Sequence, residues 1–126
     1  MSSASEVVRE LWDRFQARDW EAAGELLDEA IVVEWPQTRE RIRGRENVLA
    51  VNRNYPEGWT IRVLRVLSEG DVAVSEVAVD HVGHGTFHAA SFFEVHEGRI
   101  TRGTEYWVDP PTEAPPAWRA EWVERY

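Results

Sequence analysis

The stretch EGRITRGTEYWVD (residues 97 to 109) carries carboxylates at Glu105 and Asp109, with Gly103 and Trp107 at the same spacing of two. Side chains two apart on a strand share a face, so these four look one way. Ser91 and Phe93, on the run before, have the parity to join them. A carboxylate set against Trp107, Phe93 and Trp35 loses solvation, which raises its pKa and suits it to general acid or base work. Glu105 is therefore the first candidate for proton transfer. Asp109 precedes Pro110 and suits a turn better than a second acid, so it is the weaker candidate. The bland alternative for Glu105 is an ion pair with an arginine, or hydration at a pocket mouth.

Asp80-His81-Val82-Gly83-His84-Gly85-Thr86-Phe87-His88 holds three histidines and an acid within nine residues. Imidazoles and carboxylates are metal donors, yet the spacing argues against a site. With Gly83-His84-Gly85 as the hairpin loop, Asp80 falls opposite His88 while His81 and His84 point elsewhere, and a cross-strand Asp–His pair accounts for the same residues. No metal is expected. His88 could act as a proton shuttle positioned by Asp80 only from the inner sheet face, and its alternation with Phe87, Ala89 and Ser91 points outward. In AIVVEWPQTRERIRG (residues 30 to 44), Ile31, Val33 and Trp35 share one face and Val32 and Glu34 the other. Trp35 then reads as a pocket wall, with Glu34 on the opposite surface. Arg39, Arg41, Arg43 and Arg45 either bind an acidic group at a rim or, more simply, form a solvated turn with Glu40 and Glu46.

Those residues must be held by elements the pattern predicts. Ser3 and Glu6 form a capping box, and Val7, Val8, Leu11, Trp12 and Phe15 recur at helical spacing to about residue 18. Asp19 caps a shorter helix through Leu27 with Trp20, Ala23, Leu26 and Leu27 buried. A strand over 30–35, an extended piece around 41–43 and a helix from Gly44 to before Asn54 follow. Runs at 59–67, 71–82, 86–96 and 99–108 are rich in Val, Ile, Phe and Thr and are separated by turn sequences, so they read as four antiparallel strands. A Pro-rich segment (109–116) leads to a last helical turn or two, in which Trp118 and Trp122 share a side. They would pack on the chain's own sheet, close the pocket mouth or clasp a second subunit. The order predicts an α+β domain in which a curved, mixed or antiparallel sheet wraps the N-terminal helices as a cone-shaped α+β barrel. The space left between helices and sheet is a pocket.

The bulk numbers bound the function. A chain of 126 residues supports one domain, residues 1–126, with a core over about 5–109. The net charge of −9 and an all-arginine set of 14 basic residues argue against nucleic acid, which needs a basic stripe. Without cysteine there is no disulfide, thiol nucleophile or Cys-based metal site. No membrane partner is expected, no leader pattern opens the chain, and the cytoplasm is the default location. Seven tryptophans suggest walls for a flat or greasy ligand as readily as core filler. Trp12, Phe15, Trp35, Tyr55, Trp59, Ser91, Phe93 and Trp107 are the expected lining for a small apolar or aromatic molecule. No cofactor is called for.

VVEWPQTRERIRGREN and EGRITRGTEYWVD, in this element order, resemble the nuclear transport factor 2-like superfamily, and within it the SnoaL-like polyketide cyclases. The first segment is similar to the family's strand, Pro turn and helix entry, the second to its final strand. The resemblance implies the cone-shaped fold, an acidic pocket residue that moves a proton during ring closure, and a homodimer formed through the outer sheet face, where Ala90 and Phe92 stand beside Glu94 and His96. It does not fix the reaction, because the superfold hosts isomerases, dehydratases, epoxide hydrolases, cyclases and non-catalytic domains. In its ketosteroid isomerase branch the residue before this Pro is an Asp, where Trp35 stands here. The second acid of that branch falls at Ser91 and its first-helix Tyr near Leu11, so that mechanism is not expected. An epoxide hydrolase of the limonene type needs two carboxylates around an Arg. Glu76, Asp80, Arg62 and Arg65 supply the types without the spacing. Two readings stay open: a cofactor-independent cyclase, isomerase or lyase using Glu105, and a ligand-binding or dimeric interaction domain without turnover.

Overall fold

Ser3 caps the first helix as the pattern requires. Its hydroxyl accepts the Glu6 N–H at 3.2 Å and donates to the Glu6 carboxylate at 3.0 Å, so an otherwise unpaired backbone donor is satisfied. In the computed structural model, which describes residues 2–126, α1 spans Ala4–Gln16 and buries Val7, Val8, Leu11, Trp12 and Phe15. Each such side chain removed from water contributes about 1.5–3 kcal/mol. Asp19 caps α2 (Trp20–Gly24), which is shorter than expected: the chain turns extended at Leu27, three residues earlier than the pattern suggested. Ile100 N–H bonds to the Leu26 carbonyl, and Leu27 pairs with Ile100, so tertiary pairing overrides the helical spacing of Leu26 and Leu27.

The remaining elements are β1 (Leu27–Trp35), β2 (Glu40–Arg43), α3 (Arg45–Asn54), β3 (Trp59–Glu69), β4 (Val72–His81), β5 (Gly85–His96), β6 (Arg99–Val108) and a 3₁₀ turn at Ala117–Arg119. They form one six-stranded mixed sheet in the order β2-β1-β6-β5-β4-β3. β3 to β6 make the antiparallel meander, and β1 joins it parallel to β6. The sheet is open, with β2 and β3 as its edges, so helices rather than strand closure complete the cone. α1 lies across β3, β4, β5 and β6, while α3 packs on β1 and β2.

Parity along β4 is resolved: Ala73, Ser75, Val77 and Val79 face inward, with Glu76 and Asp80 on the other side. The irregularity sits in β3, where Val63 pairs with Val77 and Arg65 with Glu76, leaving Leu64 as the extra residue. The β4–β5 hairpin centres on Gly83, not His84, because His81 pairs with Gly85 and His84 N–H returns to the His81 carbonyl. Asp80 therefore faces Thr86, and His88 faces Ala78, so the expected Asp80–His88 pair does not form. The C-terminal aromatics correct a second expectation: Trp118 and Trp122 are each 73% exposed and neither packs on the chain's own sheet nor lines the pocket. No helix among the described residues is long and apolar enough to cross a membrane.

Candidate functional site

Inward-facing residues of three adjacent strands meet in one row. Ser75 on β4 pairs with Ser91 on β5, and Ser91 with Glu105 on β6. Both serines are fully buried and Glu105 is 8% exposed. The Ser91 hydroxyl donates to Glu105 Oε2 at 2.7 Å, and the Trp35 Nε1–H donates to Oε1 at 3.0 Å. Among the described residues no arginine reaches this carboxylate, which removes the ion-pair alternative. Desolvation raises the Glu105 pKa above its usual value, opposed by the hydrogen bonds from Trp35 and Ser91 that favour the ionised form. Such an acid can hold or release a proton without counter-charge.

Local structure explains how the carboxylate comes to sit there. Gly103, two residues before Glu105, has no side chain, and a Cβ there would lie 3.0 Å from the Phe93 ring. The missing methyl lets Phe93 lie flat over β6, edge-on to Trp12 at 6.4 Å between centroids. Pro36 ends β1 just after Trp35, whose half-buried indole swings inward to Glu105. Glu34, on the opposite face, binds Arg41 at 2.7 Å and Arg102 at 3.1 Å, as alternation predicts.

Two neighbouring spaces open between helices and sheet. A recess of about 40 Å³ is lined by Glu105, Phe15, Phe93, Trp12, Trp35, Trp107 and Asn52, among others. It has room for a water or a small substituent. A larger cavity of about 410 Å³, within the range of small-molecule sites, adjoins it and shares Trp12, Trp35, Asn52 and Trp107. Its remaining walls include Tyr55, Trp59, Ile61, Val79 and Phe87, and its mouth carries Gln37, Thr38, Glu40 and Asp109. Glu105 thus lies at the inner end, behind the indoles, and touches the recess rather than the larger cavity.

The expected lining residues Trp12, Trp35, Tyr55, Trp59 and Trp107 meet in the larger cavity, while Phe15 and Phe93 line only the recess. Ser91 reaches the site only through its bond to Glu105. Asp109 is exposed at the mouth, beyond the last residue of β6. His88 is exposed on the outer face, so its placement as a shuttle is corrected: the alternation of β5 turns it away from the cavity. Asp80 is also outside, bound by Arg62 at 2.6 Å and by Thr86 at 2.7 Å, which hold its pKa down to about 2. Glu76 pairs with Arg65 there, so these four charges form a surface ladder.

Sequence reasoning missed Asn52, Val51, Ile61, Val79 and Phe87 as walls and Gln37, Thr38 and Glu40 at the mouth. The β residues carried a parity signal; Asn52 carried none beyond its place on the helix facing β1. His81 was also missed. It is buried, with Nε2 at 3.2 Å from the Glu57 carbonyl and Nδ1 at 3.1 Å from the Tyr55 hydroxyl.

Comparison with known proteins fits this geometry. The family model described as a SnoaL-like domain matches residues 8–103. A crystal structure from Kribbella flavida DSM 17836, provisionally named a ketosteroid isomerase, is similar at 34% identity and a TM-score of 0.88, covering 98% of this chain and 89% of that one. An NTF-2 like protein of unknown function from Burkholderia xenovorans LB400 is similar at 29% identity and TM-score 0.79, over 98% and 94% of the two chains. An LEH-like epoxide hydrolase of M. tuberculosis shares the fold at 24% identity and TM-score 0.71, over 83% and 82%. No curated protein matches the chain. With the model spanning most of the chain and both segments of the resemblance in place, this protein belongs to the SnoaL-like family of the nuclear transport factor 2-like superfamily.

Proposed function

We propose that the chain binds a small apolar or aromatic molecule and performs proton-transfer chemistry on it, such as cyclisation, isomerisation or dehydration, with Glu105 as the acid–base group. The observation that carries this reading is a buried, unpaired-by-charge carboxyl at the inner end of an indole-walled cavity. Burial raises its pKa, which favours the neutral acid, and its two hydrogen-bond donors fix its orientation. Trp35 in place of a carboxylate before Pro36 supports a reaction other than that of the ketosteroid isomerases.

A second reading is favoured by one feature: both Glu105 oxygens already accept hydrogen bonds, and the larger cavity does not touch them. In that reading the protein retains a ligand without turning it over. The two separate in one experiment. A compound retained through purification is identified by mass spectrometry, and turnover and binding are then compared in the parent chain and in Glu105→Gln. The enzyme reading expects binding to persist and turnover to fall by roughly 10²–10⁴-fold. A variant that changes neither moves the assignment to a binding domain.

The outer sheet face supports a homodimer. Phe92 and Tyr106 stand 45% and 47% exposed with their rings edge-on at 6.1 Å, and Leu67 and Val108 lie exposed on the same sheet.

A further inference from the structure

The charged groups of the larger cavity are of one sign. Of its four indoles, Trp12 donates its Nε1–H to Ser75 Oγ at 3.0 Å and Trp35 donates to Glu105. Those two N–H groups are turned into the protein, so at these rings the cavity meets carbon. Asn52 donates one amide hydrogen to the Val48 carbonyl at 2.8 Å; a carbonyl only accepts, so Asn52 Oδ1 is left as a free acceptor beside the second amide hydrogen. The same logic settles Tyr55. His81 Nε2 faces the Glu57 carbonyl and must carry the ring proton, so in the neutral ring Nδ1 accepts the Tyr55 O–H. The Tyr55 oxygen then offers lone pairs only. The charged residues of the lining are Glu40 and Asp109, both acidic; burial raises the Tyr55 pKa, and the Asp109 carboxylate adds to that rise.

Six aromatic side chains complete the lining, and aromatic faces attract cations. One of them already holds one: the Arg18 guanidinium lies 3.2 Å over the Trp59 ring. The net charge of −9 adds a field of the same sign.

We propose that the cavity takes an organic cation, an amine or quaternary ammonium on an apolar or aromatic body. Its nitrogen sits at the mouth by Tyr55, Asp109 and Glu40, and its body lies among the indoles. This names the ligand class for the site described above and rests on that small-molecule reading. Asp109 lies four residues beyond Glu105, about 13 Å at a strand's rise, so a bound ammonium leaves the far end of a drug-sized body directed at the recess.

The test is a titration of the full chain, followed by tryptophan fluorescence and calorimetry, with benzyltrimethylammonium, its neutral isostere neopentylbenzene, and phenylacetate. The ammonium is expected to bind about tenfold tighter than the neutral compound, and phenylacetate weakest. Asp109→Asn with Glu40→Gln is expected to weaken the ammonium about tenfold and leave neopentylbenzene unchanged, with the fold checked by circular dichroism. Equal or tighter binding of the neutral compound or the anion overturns the proposal, as does ammonium affinity unmoved by the double substitution. Neutral binding alone sinks this inference and spares the ligand-binding reading. Binding of none of the three up to about 10 mM sinks both.

Discussion

Glu105 is a carboxyl that the fold keeps from water and gives two donors. Removing one donor should make the acid weaker. Trp35→Phe deletes the N–H on Oε1 while keeping an aromatic wall, so the Glu105 pKa rises further, and the acidic limb of a pH–rate profile moves to higher pH. An unmoved limb would detach Trp35 from the proton chemistry. The raised pKa also has a stability cost with a definite sign. The folded state holds the Glu105 proton more tightly than the unfolded chain, so stability falls as pH rises from the ordinary glutamate range through the folded pKa. Glu105→Gln keeps an acceptor for Trp35 and a donor for Ser91 and carries no charge. It should raise the Tm at pH 7, with the gain vanishing near pH 4; a lowered Tm at pH 7 contradicts the assignment. Periodicity made Glu105, Trp35 and Trp107 legible in the sequence. Asn52, His81 and Ser75 were not, because their roles come from strand register and helix docking, which pattern alone does not set.

At the scale of elements, β6 presents Gly103, Glu105 and Trp107 inward in succession, and β5 lays Phe93 over the glycine. Gly103→Ala puts a methyl against that ring, and the close-packed core gives little. Urea denaturation should record a loss of about 1–3 kcal/mol, the usual cost of overpacking. A change within about 0.5 kcal/mol would mean that Phe93 shifts freely, and the recess beside Glu105 would then be pliable. The strands themselves were readable from alternation and turn sequences, and so was the first helix from its cap. The extra residue at Leu64, the Gly83-centred hairpin and the parallel pairing of β1 with β6 were not. Each is a choice of register between chains of similar composition, and moving a hairpin centre by one residue re-pairs its strands by two. That shift is what separated His88 from Asp80.

Across the whole molecule, an apolar stripe on the outer sheet face stands between charge ladders such as Arg62–Asp80 and Arg65–Glu76. If this stripe pairs two copies, Phe92→Glu with Tyr106→Glu places like charges in the contact. Sedimentation velocity should then find a monomer where the parent chain is a dimer. A parent chain already monomeric at high concentration removes the dimer. The molecule as a whole is a cone with two carboxylates at its mouth, a middle of indoles and one acid at the inner end, and its chemistry stands or falls with that acid. The most direct test is a ¹³C NMR titration of the Glu105 side-chain carboxyl, assigned by comparison with Glu105→Gln. The account predicts a midpoint above that of an ordinary glutamate, displaced upward again in Trp35→Phe. A midpoint at or below the ordinary value, unchanged by that substitution, would contradict it.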